Sequence, residues 1–169
     1  MTIKKLLSHY AGLKPWIPFY ISTLDSISSK PNPKFFRSKK SSNFPIQISK
    51  NKYLRADFRD TIHEKILKSD LLQTIKYRYS DLSYYIFKDL IESHYGKTLD
   101  DLIETKFFDK IGANHTTYNP LTKFGINEII PTEMDNYFRF EKVHGYVHDM
   151  GAAMQNGIGG HAGLFSNSN

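Results

Sequence analysis

The stretch Tyr77-Arg78-Tyr79-Ser80-Asp81-Leu82-Ser83-Tyr84-Tyr85, running on through Ile86 to Gly96, constrains the chain more than any other. It joins a polar cluster to the best helix in the sequence. Ser80 or Asp81 can cap that helix by accepting a backbone N–H that would otherwise lack a partner, a contribution of about 1 kcal/mol. Leu82, Tyr85, Ile86 and Leu90 recur at three- and four-residue steps and define one apolar face. Gly96 suits the left-handed turn that closes a helix. Tyr79 is therefore expected just ahead of a helix N-terminus, held by a buried element and facing a cleft.

The rest of the chain reads as short elements. Thr2 to Tyr10 predicts a helix with Thr2 as cap, Ile3, Leu6 and Leu7 as its apolar face, and Gly12 as its stop. His9 either lines a cleft or bonds a neighbouring loop. In Pro15-Trp16-Ile17-Pro18-Phe19-Tyr20 the prolines exclude a helix interior. An extended segment anchored by Trp16 and Phe19 is expected, with substrate stacking on Trp16 as the sharper alternative. Residues 22–50, with Pro31, Pro33, Pro45 and the run Arg37-Ser38-Lys39-Lys40, predict a solvated, mobile insertion. Phe44, Ile46 and Ile48 alternate, so a strand can resume there. A helix over 55–72 would bury Phe58, Ile62, Ile66 and Leu67, with Asp57 or Asp60 at its N-terminal turn. Another over 99–108, capped by Thr98, would close on the core through Phe107, Phe108 and Ile111. His115 to Tyr118 suggests a brief strand, and Ile129-Ile130-Pro131-Thr132-Glu133 is extended because the residue before proline avoids helix.

Composition narrows the function classes. The net charge of +6 and pI near 9.3 invite a nucleic-acid partner, but the basic residues do not gather on one face, which sets that partner aside. Aromatics at 14% against 40% hydrophobic residues place much of the core volume in Phe and Tyr. The absence of cysteine excludes disulfides and thiol catalysis. No stretch approaches the roughly 20 apolar residues of a membrane span. The start Met1-Thr2-Ile3-Lys4-Lys5-Leu6-Leu7 does not read as a signal peptide.

Three stretches carry a resemblance. Tyr79-Ser80-Asp81 followed by an amphipathic helix resembles the Tyr-x-Asn element of the serine β-lactamase and penicillin-binding-protein superfamily, in its class C and esterase-like branch. Leu6-Leu7-Ser8-His9-Tyr10-Ala11-Gly12-Leu13 resembles the Leu-Leu-x-His-x-Ser-Gly-Leu stretch that comes after the nucleophile helix in that family. Val147-His148-Asp149, with Gly160-His161-Ala162-Gly163-Leu164-Phe165-Ser166 after it, resembles the family's Gly-Ala-Gly-Leu-x-Ser segment. The three occur in the family's order and span nearly the whole chain.

The resemblance implies an α/β (α+β) fold of β-lactamase/transpeptidase type, of which residues 1–169 would be mainly the helical subdomain with short strands. It implies a serine nucleophile in Ser-x-x-Lys, a tyrosine that shuttles the proton, an oxyanion held by backbone N–H groups, and a Lys- or His-Thr-Gly strand for the substrate carboxylate. Tyr79 and Asp81 would be the catalytic positions, and His148, Asp149, Gly160 and His161 would belong to the substrate cleft. The substrate would be a small molecule or a peptidoglycan-type peptide, turned over without a cofactor, and the compartment would be the cell envelope or periplasm. Asp81 replaces the family's asparagine. A carboxylate accepts hydrogen bonds but does not donate them unless protonated, so it would hold a lysine tightly and a substrate carbonyl poorly.

Two of the family's motifs have no match at their positions. The one Ser-x-x-Lys, Ser49-Lys50-Asn51-Lys52, comes after the Leu6–Leu13 element instead of preceding it and lacks an apolar helix. No Lys-Thr-Gly or His-Thr-Gly occurs. The expectation is a middle segment of a hydrolase domain, with nucleophile and third motif on polypeptide outside the chain, inactive by itself. A non-catalytic binding module of the same fold is the alternative. His144, His148 and Asp149 do not read as a metal site, since Gly145 and Val147 disfavour the helix that would align two imidazoles. Gly157-Ile158-Gly159-Gly160-His161-Ala162 has the letters of a dinucleotide loop but no preceding strand and too little chain after it.

Overall fold

The computed structural model describes residues 2–74 and 76–168. Helix α1 (Ile3–Leu7) is capped by Thr2, whose hydroxyl accepts the Lys5 N–H at 3.3 Å. It ends sooner than its apolar pattern suggests, because His9 adopts a φ of 60° and turns the chain before Gly12. The proline-bracketed segment after it has no regular structure up to a 3₁₀ turn at Phe19–Thr23. Phe19 anchors it, as its position implies. Trp16 does not: it is 53% exposed.

Most of residues 22–50 are exposed, and two short strands within them reach the core. Strands β1 (Phe36–Arg37), β2 (Ile46–Ser49) and β3 (Lys52–Leu54) form an antiparallel sheet in the order β1-β3-β2, with Phe36 and Ile46 both opposite Leu54. Phe36, Ile48 and Leu54 are buried. The polar residues of this segment serve turns: Asp25 Oδ1 accepts the N–H groups of Ile27 and Ser28. The Arg37 guanidinium lies 4.5 Å from the centre of the Phe44 ring.

Helix α2 (Phe58–Leu67) buries Phe58, Ile62 and Ile66 at the expected spacing, and Leu67 faces solvent. Helix α3 (Leu82–Tyr95) stops at Gly96, whose φ of 63° is the left-handed turn glycine permits. Its buried side is Leu82, Ser83, Tyr85 and Lys88, so the face is rotated from the one expected and Leu90 is exposed. Lys88 tolerates burial by laying its stem along the protein and reaching Glu92 at 3.5 Å.

Helix α4 (Leu99–Ile103) runs into a π-helical turn at Glu104–Phe108 and then α5 (Asp109–Ile111). The wider turn shifts the helical register of the residues beyond it. Phe107 and Ile111, expected against the core, are exposed for that reason. Strand β4 (Thr117–Tyr118) pairs with β7 (Leu164–Phe165), and β5 (Pro131–Asp135) pairs with β6 (Glu141–His144), all antiparallel. Helix α6 (Met150–Ala153) lies between β6 and β7 and is capped by Asp149, which accepts the Ala152 N–H at 2.7 Å. One core joins these pieces, with Leu13, Phe19, Ile48, Ile62, Leu82 and Phe138 among its buried members. The strands are short and the helices lie around them, an α+β arrangement.

Candidate functional site

The two segments singled out at the start and middle of the chain hold each other. Arg78 N–H donates to the His9 carbonyl at 3.0 Å and Ser80 N–H donates to His9 Nδ1 at 3.2 Å. Accepting there puts the imidazole proton on Nε2. Asp81 N–H donates to the Pro15 carbonyl at 2.9 Å. The His9 ring packs 4.6 Å from that of Tyr79 and 5.8 Å from that of Tyr84. Of the two roles expected for His9, bonding the neighbouring loop is the one its contacts describe.

Ser80, and not Asp81, provides the side-chain cap of α3. Its Oγ accepts the Leu82 N–H at 3.2 Å and donates to the Lys14 carbonyl at 2.7 Å. Asp81 stands at the cap position without a capping bond, which leaves its carboxylate to face Tyr79. Tyr79 is 54% exposed. Partial burial, then the charge and hydrogen bond of Asp81, push its phenol above the ordinary tyrosine range. The proton is held on Tyr79 unless a cation is brought close.

The glycine-rich tail seats on the first turns of α3. A Cβ on Gly160 would lie 2.3 Å from the Tyr84 carbonyl oxygen, so only glycine fits. Next to it the His161 ring stacks on Tyr85, with centres 4.5 Å apart and planes 18° apart. His161 Nε2 lies 2.9 Å from Asp149 Oδ1. Burial works to raise the Asp149 carboxyl, but the His161 hydrogen bond and the Ala152 N–H outweigh it and hold the group below the usual carboxylate range.

These residues line two adjoining spaces. A groove of about 530 Å³ is bordered by His148, Asp149, Gly160 and His161, with Val147 and Phe165 as apolar wall. A narrow cleft of about 20 Å³ beside it is bordered by Trp16, Asp81, Tyr85, Asp149 and His161. The structure thus brings together the four residues expected at a cleft and places Asp81 at the adjoining one. Tyr79 is not among the residues bordering either; it stands on the outer side, next to Asp81.

Arg139 is the residue of this site that sequence reasoning missed. It is buried in the β5–β6 connection. Its guanidinium donates to Asp135 Oδ2 at 2.7 Å, Glu133 Oε1 at 2.6 Å, the Val147 carbonyl at 2.6 Å and the His148 carbonyl at 2.7 Å. It thereby fixes the backbone that delivers Asp149. The spacing Asp135…Arg139 was the available signal. His144 and His148 diverge: His144 Nε2 meets the Ile129 carbonyl, while His148 Nδ1 lies 3.3 Å from Glu133. Ser49 is buried in β2, and its hydroxyl has no partner among the described residues.

The chain belongs to the β-lactamase family, whose model matches residues 1–169; this is a family of β-lactamase-related serine hydrolases, as the resemblance implied. Among its relatives, a protein of Escherichia coli (strain K12) with the provisional name D-alanyl-D-alanine carboxypeptidase is 36% identical over an alignment of 105 residues that covers 55% of this chain and 24% of that protein. A namesake from Salmonella newport (strain SL254) is 37% identical over the same shares. The match therefore spans about a quarter of these relatives. Among solved structures, D-amino acid amidase from Ochrobactrum anthropi SV3 superposes with a TM-score of 0.55 at 15% identity, over 99% of this chain and 39% of that one. The octameric penicillin-binding protein homologue from Pyrococcus abyssi superposes with a TM-score of 0.53 at 16% identity, over 99% and 32%. The fold is of β-lactamase/transpeptidase type.

Proposed function

We propose that residues 1–169 form the tyrosine-bearing, mainly helical part of a serine hydrolase that acts through an acyl-enzyme on an ester, a β-lactam or a D-amino-acid peptide. Its Ser-x-x-Lys nucleophile and substrate-binding strand would be carried by polypeptide beyond these residues. The observation that carries the reading is the placement of Tyr79. Its phenol is half exposed at the N-terminus of α3, fixed by the His9 loop on one side and by Asp81 on the other.

In this reading Tyr79 moves the proton between the serine and the leaving group. With its acidity weakened by burial and by Asp81, it needs an adjacent lysine ammonium to act near neutrality, and that ammonium would arrive with the nucleophile. Asp81 would hold the lysine. His148, Asp149, Gly160 and His161 would form the wall against which the substrate rests.

Labelling with a fluorescent fluorophosphonate and a fluorescent β-lactam tests this. The 169-residue chain alone is expected to remain unlabelled. A chain extended to include the neighbouring Ser-x-x-Lys is expected to label, and Tyr79→Phe in it should slow acylation by about 10²–10⁴-fold. Labelling of the chain alone, or unchanged acylation in Tyr79→Phe, would refute the proposal. One observation favours a second reading, a non-catalytic binding module: Asp81 disfavours loss of the Tyr79 proton. Failure of the extended chain to label while it still binds the β-lactam would select that reading.

A further inference from the structure

We infer that His9 is a positioning residue for Tyr79, acting through its imidazole as well as its backbone. What the phenol is positioned for rests on the hydrolase reading above; the contacts that hold it do not.

Two hydrogen bonds straddle Tyr79. The Arg78 N–H donates to the His9 carbonyl at 3.0 Å, and the Ser80 N–H donates to His9 Nδ1 at 3.2 Å. These donors are the residues immediately before and after Tyr79. One residue therefore ties down the backbone on both sides of the phenol, and the loop cannot swing the side chain away as a unit. A backbone N–H only donates, so Nδ1 serves here as the acceptor.

The ring adds a second hold. The imidazole centre lies 4.6 Å from that of Tyr79, with planes 38° apart. Tyr84 and Tyr77 flank the same imidazole at 5.8 Å and 6.0 Å. All three separations are contact distances for aromatic pairs. Tyr79 thus leans on the imidazole while remaining 54% exposed. Asp81 bears on the hydroxyl; His9 bears on the ring and the backbone.

The backbone of His9 makes both holds possible. Its φ of 60° is left-handed, a conformation that costs a residue with a Cβ. That turn follows α1 and presents the His9 carbonyl and ring to the same segment. Glycine takes such a turn without the cost, and asparagine at a lower one. Neither offers both an acceptor and an aromatic face. His9 is half-buried and is not among the residues bordering the groove or the cleft, so it acts through Tyr79 and not on a ligand.

Two variants test this. His9→Gly keeps the left-handed turn and removes both ring and acceptor. His9→Asn also tolerates the turn, and its amide oxygen can replace Nδ1 as acceptor. In the 169-residue chain, His9→Gly should speed amide hydrogen exchange at Ser80 about tenfold, as expected for one lost hydrogen bond. The Tyr79 ring resonances should shift, and the amides within α3 should keep their protection. His9→Asn should restore the Ser80 protection. In the chain extended to include the nucleophile, His9→Gly should lower the acylation rate constant about tenfold at an unchanged half-saturating β-lactam concentration. His9→Asn should recover most of that rate, and His9→Gly added to Tyr79→Phe should cost nothing further. Unchanged Ser80 exchange in His9→Gly, loss of protection throughout α3, no recovery in His9→Asn, or an undiminished loss in the Tyr79→Phe background would overturn the inference. The hydrolase reading fails separately. An extended chain that does not acylate, with the Ser80 and Tyr79 changes present, sinks that reading and keeps this role for His9. Tyr79-dependent acylation that His9→Gly leaves unchanged does the reverse.

Discussion

Arg139→Met removes the guanidinium from the buried β5–β6 connection and keeps most of the side-chain volume. Four bonds go with it: those to Asp135 and Glu133, and those to the carbonyls of Val147 and His148. Asp135 is fully buried, so its carboxylate loses its counter-ion in a place water does not reach. Breaking one side of a buried pair costs about 3–5 kcal/mol. Asp135 still accepts the backbone N–H groups of Tyr137, Phe138 and residue 139, which places the expected loss at the lower end, about 3 kcal/mol. For a chain of this length that corresponds to a fall in Tm of about 6–12 °C. Urea unfolding and thermal melts tracked by circular dichroism at pH 7 measure it. Adding Asp135→Asn to Arg139→Met removes the stranded charge and should recover part of the loss. A loss under about 1 kcal/mol, or a double variant no more stable than the single one, would refute the reasoning. The same pair sets a pH dependence. Burial opposes the Asp135 charge, but Arg139 and the backbone N–H groups outweigh it and depress the carboxyl. Its contribution is therefore present above the unfolded value of about 3.9 and lost as pH falls below it; Asp135→Asn should flatten that acid limb.

Gly160→Ala would drive a methyl into the Tyr84 carbonyl and should cost about 1–3 kcal/mol in urea unfolding. Gly125→Ala, which meets a flexible Glu128 carboxylate at 3.1 Å, is the mild comparison. Ser80→Ala removes the α3 cap and strands the Lys14 carbonyl, an expected loss of about 1–2 kcal/mol by the same measurement. Burial, then the charge of Asp149, raise the Tyr85 phenol above its ordinary value. Its contribution is intact below a pH of about 10 and is lost as pH rises past it. Unfolding measured from pH 9 to 11 should show a steeper decline for the wild type than for Tyr85→Phe.

The parts of the fold that were legible in the sequence are those where local chemistry decides. Thr2 as a cap, Gly96 as a stop, and the spacing of Phe58, Ile62 and Ile66 each needed only near neighbours. The burial of Phe36 and Ile48 within residues 22–50 was not legible, because they acquire partners from β3 and from distant parts of the core. The face of α3 was misjudged because Lys88 counts as polar by letter and behaves as a buried stem. His148, Asp149, Gly160 and His161, singled out through their motif, border one groove. The stacking of His161 on Tyr85 and the clamp made by Arg139 join residues tens of positions apart or change the environment of a loop, and no local spacing announces them.

Trp16, which failed as an anchor, is the single tryptophan of the chain and borders the cleft shared by Asp81, Asp149 and His161. Indole emission responds to nearby charge, to imidazole protonation and to displaced water. The protein thus carries its own optical reporter at the place where occupancy matters. Excitation of that one fluorophore can track a ligand arriving, or a carboxylate titrating, with no dye attached and no competing signal from another indole.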